Sequence, residues 1–78
     1  MIGKILRYVR INKGFSQYQL AKILNLSQQN LSRYEKNQRI VSFDTIEQIA
    51  NNCDYEIIFR NKITKEEITT KNINRKEI

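Results

Sequence analysis

Residues 16–35, SQYQLAKILNLSQQNLSRYE, decide how this chain folds. Leu20, Ala21 and Leu24 recur at three- and four-residue spacing, and Leu31 and Tyr34 resume the pattern after a break. That periodicity reads as two short amphipathic helices rather than one long one. Ser16 stands three residues before Gln19, the pairing of a capping box, so the first of the two starts at Gln17. Ser27 reads as a second N-cap feeding a helix over residues 28–35. Between them Asn25-Leu26 turns the chain, and Asn is the residue after Gly that best tolerates the left-handed conformation such a turn needs. Two helices joined by a turn this short cross steeply, the helix-turn-helix geometry.

The two faces of this unit differ in chemistry. Leu20, Leu24, Leu26, Leu31 and Tyr34 form a shared inner face, and Ala21 is small where the second helix presses closest. Gln17, Gln28, Gln29, Ser32 and Arg33 are left outside. A glutamine amide can bond bidentately to adenine in the major groove, and an arginine can reach guanine or a phosphate. A plain solvated face is the bland alternative.

The flanking sequence extends the helical reading. Residues 2–12 place Ile2, Ile5, Leu6 and Val9 on one helical face with Lys4, Arg7 and Arg10 elsewhere, and Gly14 is a natural stop. Lys4, Arg7 and Lys13 read either as solvated charges or as non-specific phosphate contacts. Phe15 packs ahead of the next cap. Residues 36–41 are a polar loop. Ser42 caps a fourth helix with Asp44 in its first turn, and Phe43, Ile46, Ile49 and Ala50 close the core. Cys53 reads as a core thiol rather than a reactive one.

Residues 55–60 change character: Tyr55, Ile57 and Phe59 alternate with Glu56 and Arg60 in a β-branched, aromatic run. Residues 61–66 turn, and residues 67–70 return as a second strand. A fifth helix from Asp54 is the alternative. A lone two-stranded hairpin is marginal in water, so a shared sheet with a second copy is the expected way to support it, with Tyr55, Ile57, Ile58, Phe59 and Ile68 at the interface. Residues 72–78 carry no periodicity and read as a loose tail. The expected organisation is thus a DNA-binding unit over 1–53, a dimerisation segment over 54–71 and a tail over 72–78.

Composition narrows the function. The net charge is +6 over 78 residues, and it is unevenly held. Residues 1–41 carry eight basic residues against one acidic, a net +7, whereas residues 42–78 carry six against seven. A basic half coinciding with the helix-turn-helix is the electrostatic footprint of nucleic-acid binding. A chain this short buries only about 60–65% of its unfolded surface, so a partner subunit would help it. With no His and one Cys there is no metal-ligand cluster, and no cofactor is expected. Without a Cys–His pair or a glycine-rich phosphate loop, an enzyme is not expected either; Glu66-Glu67 falls in a turn and reads as surface. No apolar run approaches the roughly 18 residues of a membrane span, the N-terminus has no signal-peptide character, and the lone cysteine suits a reducing compartment, so a cytoplasmic location is expected.

Residues 2 to about 53 closely resemble the phage-repressor/Cro-type helix-turn-helix domain, the xenobiotic-response-element family. The matching residues are Ser16-Gln17, Leu20-Ala21, Asn25-Leu26-Ser27-Gln28-Gln29, Leu31-Ser32-Arg33-Tyr34-Glu35 and Ile46 to Ala50. The resemblance implies a mainly α fold: a four-helix helix-turn-helix domain, followed here by the β-hairpin or short fifth helix. It implies base contacts from Gln28, Gln29, Ser32 and Arg33. Backbone contacts would come from Ser16, Gln17, Asn30, Lys36, Asn37, Gln38 and Arg39, and a structural ion pair from Arg10 and Glu35. The chain departs from the family at Asn25 and Asn37, where Gly is usual. The implied partner is double-stranded DNA, bound by a homodimeric regulator, with no membrane partner; the alternative is an antitoxin that represses its operon and holds a toxin through its C-terminal segment.

Overall fold

The computed structural model describes residues 2–76. Four helices, α1 (Ile2–Lys13), α2 (Gln17–Ile23), α3 (Gln28–Glu35) and α4 (Phe43–Asn52), precede a hairpin of β1 (Phe59–Arg60) and β2 (Glu67–Ile68). The fold is mainly α with a C-terminal hairpin, and the fifth-helix alternative does not occur. α3 packs on both α1 and α2, and α4 packs on α1.

Local chemistry sets the ends of the helices. Ser16, Ser27 and Ser42 each accept a hydrogen bond from the backbone N–H three residues on, and Gln19 completes the box by accepting from the Ser16 amide. The four C-termini share one device. Gly14, Asn25, Asn37 and Asp54 all take positive φ, at 91°, 56°, 58° and 66°. The residue after each donates back to a carbonyl five residues earlier: Phe15 to Arg10, Leu26 to Ala21, Gln38 to Arg33 and Tyr55 to Ala50. This is the Schellman cap, and only one of the four uses glycine.

The core is Leu6, Val9, Leu20, Ala21, Leu31, Val41, Ile49 and Cys53, with Phe15, Leu24, Leu26, Tyr34 and Ile46 packed against it. One expectation needs correction. Phe43 does not close the core: it is 42% exposed, its ring lying beside that of Phe59 in the hairpin. Ile2 and Ile5 share the apolar face of α1 and are partly exposed, at 37% and 58%. They line a groove with Phe43, Ile46, Ala50, Tyr55 and Ile57 instead of being sealed by another element.

The strands are also shorter than the alternation suggests. Only Phe59 and Arg60 pair, opposite Ile68 and Glu67, whereas residues 55–58 run without a partner strand. Tyr55 is held by Asn12, whose Nδ2 donates to its hydroxyl at 2.9 Å. The loop is an Asx turn in which Asn61 Oδ1 accepts from Ile63 and Thr64. The hairpin leans on its own α4. The Phe59 and Phe43 rings lie 6.3 Å apart, and Thr70 Oγ1 donates to Glu47 at 2.8 Å. Where a loose tail is expected, residues 73–75 form one turn of 3-10 helix, tied to the hairpin by Lys76 and Glu66. Residues 77 and 78 of that tail lie outside the described residues.

Candidate nucleic-acid interface

α3 divides cleanly between core and solvent. Leu31 and Glu35 are buried, Ser32, Asn30 and Tyr34 are half-buried, and Gln28, Gln29 and Arg33 are exposed. The side chains of Gln28, Gln29 and Arg33 make no hydrogen bond to any described residue, so one edge of the helix carries an uncommitted set of donors and acceptors. Amide and guanidinium groups of this kind match the hydrogen-bonding edges of bases in a major groove.

What fixes α3 lies beneath it. Arg10 of α1 grips Glu35 with two charge-assisted bonds, Nε to Oε2 at 2.6 Å and Nη2 to Oε1 at 2.9 Å. Its remaining arm donates to the Phe15 carbonyl at 2.8 Å. The paired arrangement satisfies both buried charges, and a forked guanidinium–carboxylate contact fixes orientation as well as distance. Gln17 joins the same carboxylate, its Nε2 donating to Glu35 Oε1 at 3.1 Å. Gln17 therefore links the start of α2 to the end of α3, leaving its own carbonyl and its second amide hydrogen for a ligand.

The loop after α3 is braced as well. Asn37 Oδ1 accepts from the Gly3 amide at 3.0 Å, and Arg39 Nη1 reaches Asn30 Oδ1 at 3.4 Å. Lys36, Gln38 and Arg39 are exposed, and Ser16 sits at the opposite side of the motif as the cap of α2. Sequence reasoning passes over three residues here. Tyr18 and Lys22 line a hollow that also takes in Asn25 and Gln28, with the Lys22 ammonium 5.9 Å from the Tyr18 ring. Their four-residue spacing on an amphipathic helix is the signal that could have found them. The third, Gly3, gives itself away as a glycine inside a helix, where it is costly without a packing reason.

An exposed, unbonded helix edge on a rigid two-helix unit in a basic half-chain defines a DNA-binding domain of the phage-repressor type. The Helix-turn-helix family model (HTH_3) matches residues 6–59, and the chain belongs to that family. It is 32% identical over 71 residues to the HTH-type transcriptional regulator ImmR of Bacillus subtilis (strain 168). The match takes in 91% of this chain and 54% of that protein, so the chain spans about half the length of this relative. Among the described residues no helix is long and apolar enough to cross a membrane.

Proposed function

We propose that the chain is a sequence-specific DNA-binding transcription regulator of the cytoplasm, acting as a repressor. In this reading two copies lay α3 into successive major grooves of a palindromic operator. Base selection comes from Gln28, Gln29, Ser32 and Arg33, and the grip on phosphate from Ser16, Gln17, Asn30, Lys36, Asn37, Gln38 and Arg39. The observation that carries the proposal is the exposed, unbonded edge of α3 above the buried Arg10–Glu35 pair. Half-sites would lie about one helical turn, roughly 34 Å, apart.

Self-association draws support from the apolar surface around the hairpin and the start of α4. Phe43, Ile58 and Phe59 are exposed, all in the half of the chain whose charge is near neutral. Two copies meeting by this surface keep their basic halves apart. The antitoxin reading would use the same residues 55–78 and gains no observation of its own.

The test is selection from random duplex DNA with the purified protein, read by sequencing. Enrichment of a two-fold symmetric motif is the expected result, and its half-site spacing reports the dimer geometry. Salt-sensitive binding with no enriched motif would overturn base-specific recognition. Gln28→Ala and Gln29→Ala should each cost about 1–3 kcal/mol on the selected site and relax preference at one position. Equal weakening on selected and random DNA would remove these residues from the reading set.

A further inference from the structure

The contact between Gly3 and Asn37 joins residues 34 apart in sequence, and its geometry leaves little freedom. A Cβ placed on Gly3 would stand 2.5 Å from the Tyr34 carbonyl oxygen, 2.6 Å from that of Glu35 and 2.7 Å from Asn37 Oδ1. The start of α1 is thus pressed against the end of α3. The partial positive charge of one helix end faces the partial negative charge of the other. The Gly3 amide belongs to the first turn of α1 and has no partner within its helix; Asn37 supplies one from a distant loop. Asn37 in turn holds the left-handed conformation at φ 58°. It lies in the segment Lys36-Asn37-Gln38-Arg39, whose other brace is the bond from Arg39 to Asn30.

We propose that Asn37 is a positioning residue for DNA binding, holding the Lys36–Arg39 loop at a fixed height beside α3 through the Gly3 amide. Its oxygen serves α1, which leaves only its amide hydrogens for a phosphate. The first helix, which carries none of the base-reading residues, thereby becomes part of the apparatus that sets the phosphate grip. The proposal rests on the reading above that Lys36 and Arg39 contact phosphate.

The experiment measures affinity for a labelled mixed-sequence duplex across a salt series, for the wild type, Asn37→Gly, Gly3→Ala and their double variant. Circular dichroism confirms folding at each condition. Each phosphate contact contributes about 0.9 to the slope of log affinity against log salt. Asn37→Gly should therefore flatten the slope by about 1–2 as the Lys36 and Arg39 contacts are lost. Gly3→Ala should flatten it at least as much, because its Cβ also strikes the Tyr34 and Glu35 carbonyl oxygens, and the double variant should be no flatter than the flatter single variant, since both act on the one Gly3–Asn37 contact. An unchanged slope in Asn37→Gly would overturn the proposal, as would independent, additive losses in the double variant. If Gly3→Ala does not fold, Asn37→Gly decides alone, because glycine accepts the same φ. Lys36→Ala combined with Arg39→Ala separates the two readings. A flattened slope there but not in Asn37→Gly refutes the positioning role alone, and an unchanged slope refutes the phosphate reading of the loop and the proposal with it.

Discussion

Glu35 accepts three side-chain hydrogen bonds where only 2% of its side chain meets solvent. Glu35→Gln would leave the Arg10 guanidinium buried without a counter-charge, a change that costs about 3–5 kcal/mol. For a domain of 78 residues that approaches the whole folding free energy, about 0.05–0.15 kcal/mol per residue. Urea titration should show the loss, and replacing both partners by Met should recover much of it. Cys53 is 2% exposed. Burial pushes its thiol pKa above the ordinary 9.0, with the Asp54 carboxylate adding to the effect. The sign follows from the folded state holding the proton more tightly. The contribution is complete below the unfolded pKa and is lost as pH rises toward the folded one. Lys13, raised by its bond to Asp54, acts in the same direction but is fully exposed. Urea midpoints should thus stay level near neutral pH and fall in the alkaline range, and Cys53→Ala should make that fall shallower. An equally steep fall in the variant would assign it to other groups.

Helix ends were more legible than helix neighbours. Ser16, Ser27 and Ser42 announce three N-termini because capping acts within three residues, so a local reading suffices. Asn25 was readable as a turn residue for the same reason, whereas the common cap joining Gly14, Asn25, Asn37 and Asp54 shows only in the backbone. The three non-glycine positions differ in what they return for their positive φ. Asn37 bonds Gly3 and Asp54 pairs with Lys13 at 2.6 Å, but the Asn25 side chain bonds no described residue. Asn25→Gly should therefore stabilise the protein by about 0.5–1 kcal/mol, raising the melting temperature, while Asn37→Gly should be close to neutral. A loss of stability in Asn25→Gly would mean that its side chain has a partner. Periodicity placed Ile2, Ile5 and Phe43 on apolar faces correctly, yet it says which face is apolar and not whether anything covers it. Alternation likewise ran on through residues 55–58, where the returning strand is too short to pair. Gly3 and Asn37 meet only through tertiary packing, so nothing local marks their union.

Across the whole molecule the charge is divided along the chain, residues 1–41 basic and residues 42–78 near neutral. Phe43, Phe59, Ile68 and Ile73 line a hollow under the hairpin, and this surface is the expected seat of self-association. Phe59→Ser should weaken the dimer in sedimentation velocity, and it should weaken operator binding more than binding of one isolated half-site. Equal effects on both would place the dimer contact elsewhere. The helix-turn-helix identity, the four helices and the hairpin were legible because each rests on spacing within about twenty residues. The bracing of α3 and the loop after it rests on contacts between α1 and residues 25 to 34 positions away, and no periodicity reports these.

The division of α3 between buried and exposed positions has a consequence for how such a protein changes its target. Gln28, Gln29 and Arg33 carry no part of the fold, whereas Leu31 and Glu35 carry almost nothing else. The first group can be exchanged freely while the second stays fixed. On the proposed reading of α3, new operators are therefore open to this scaffold by single substitutions at positions that carry no packing, and a diverging copy of the gene need never pass through an unfolded intermediate.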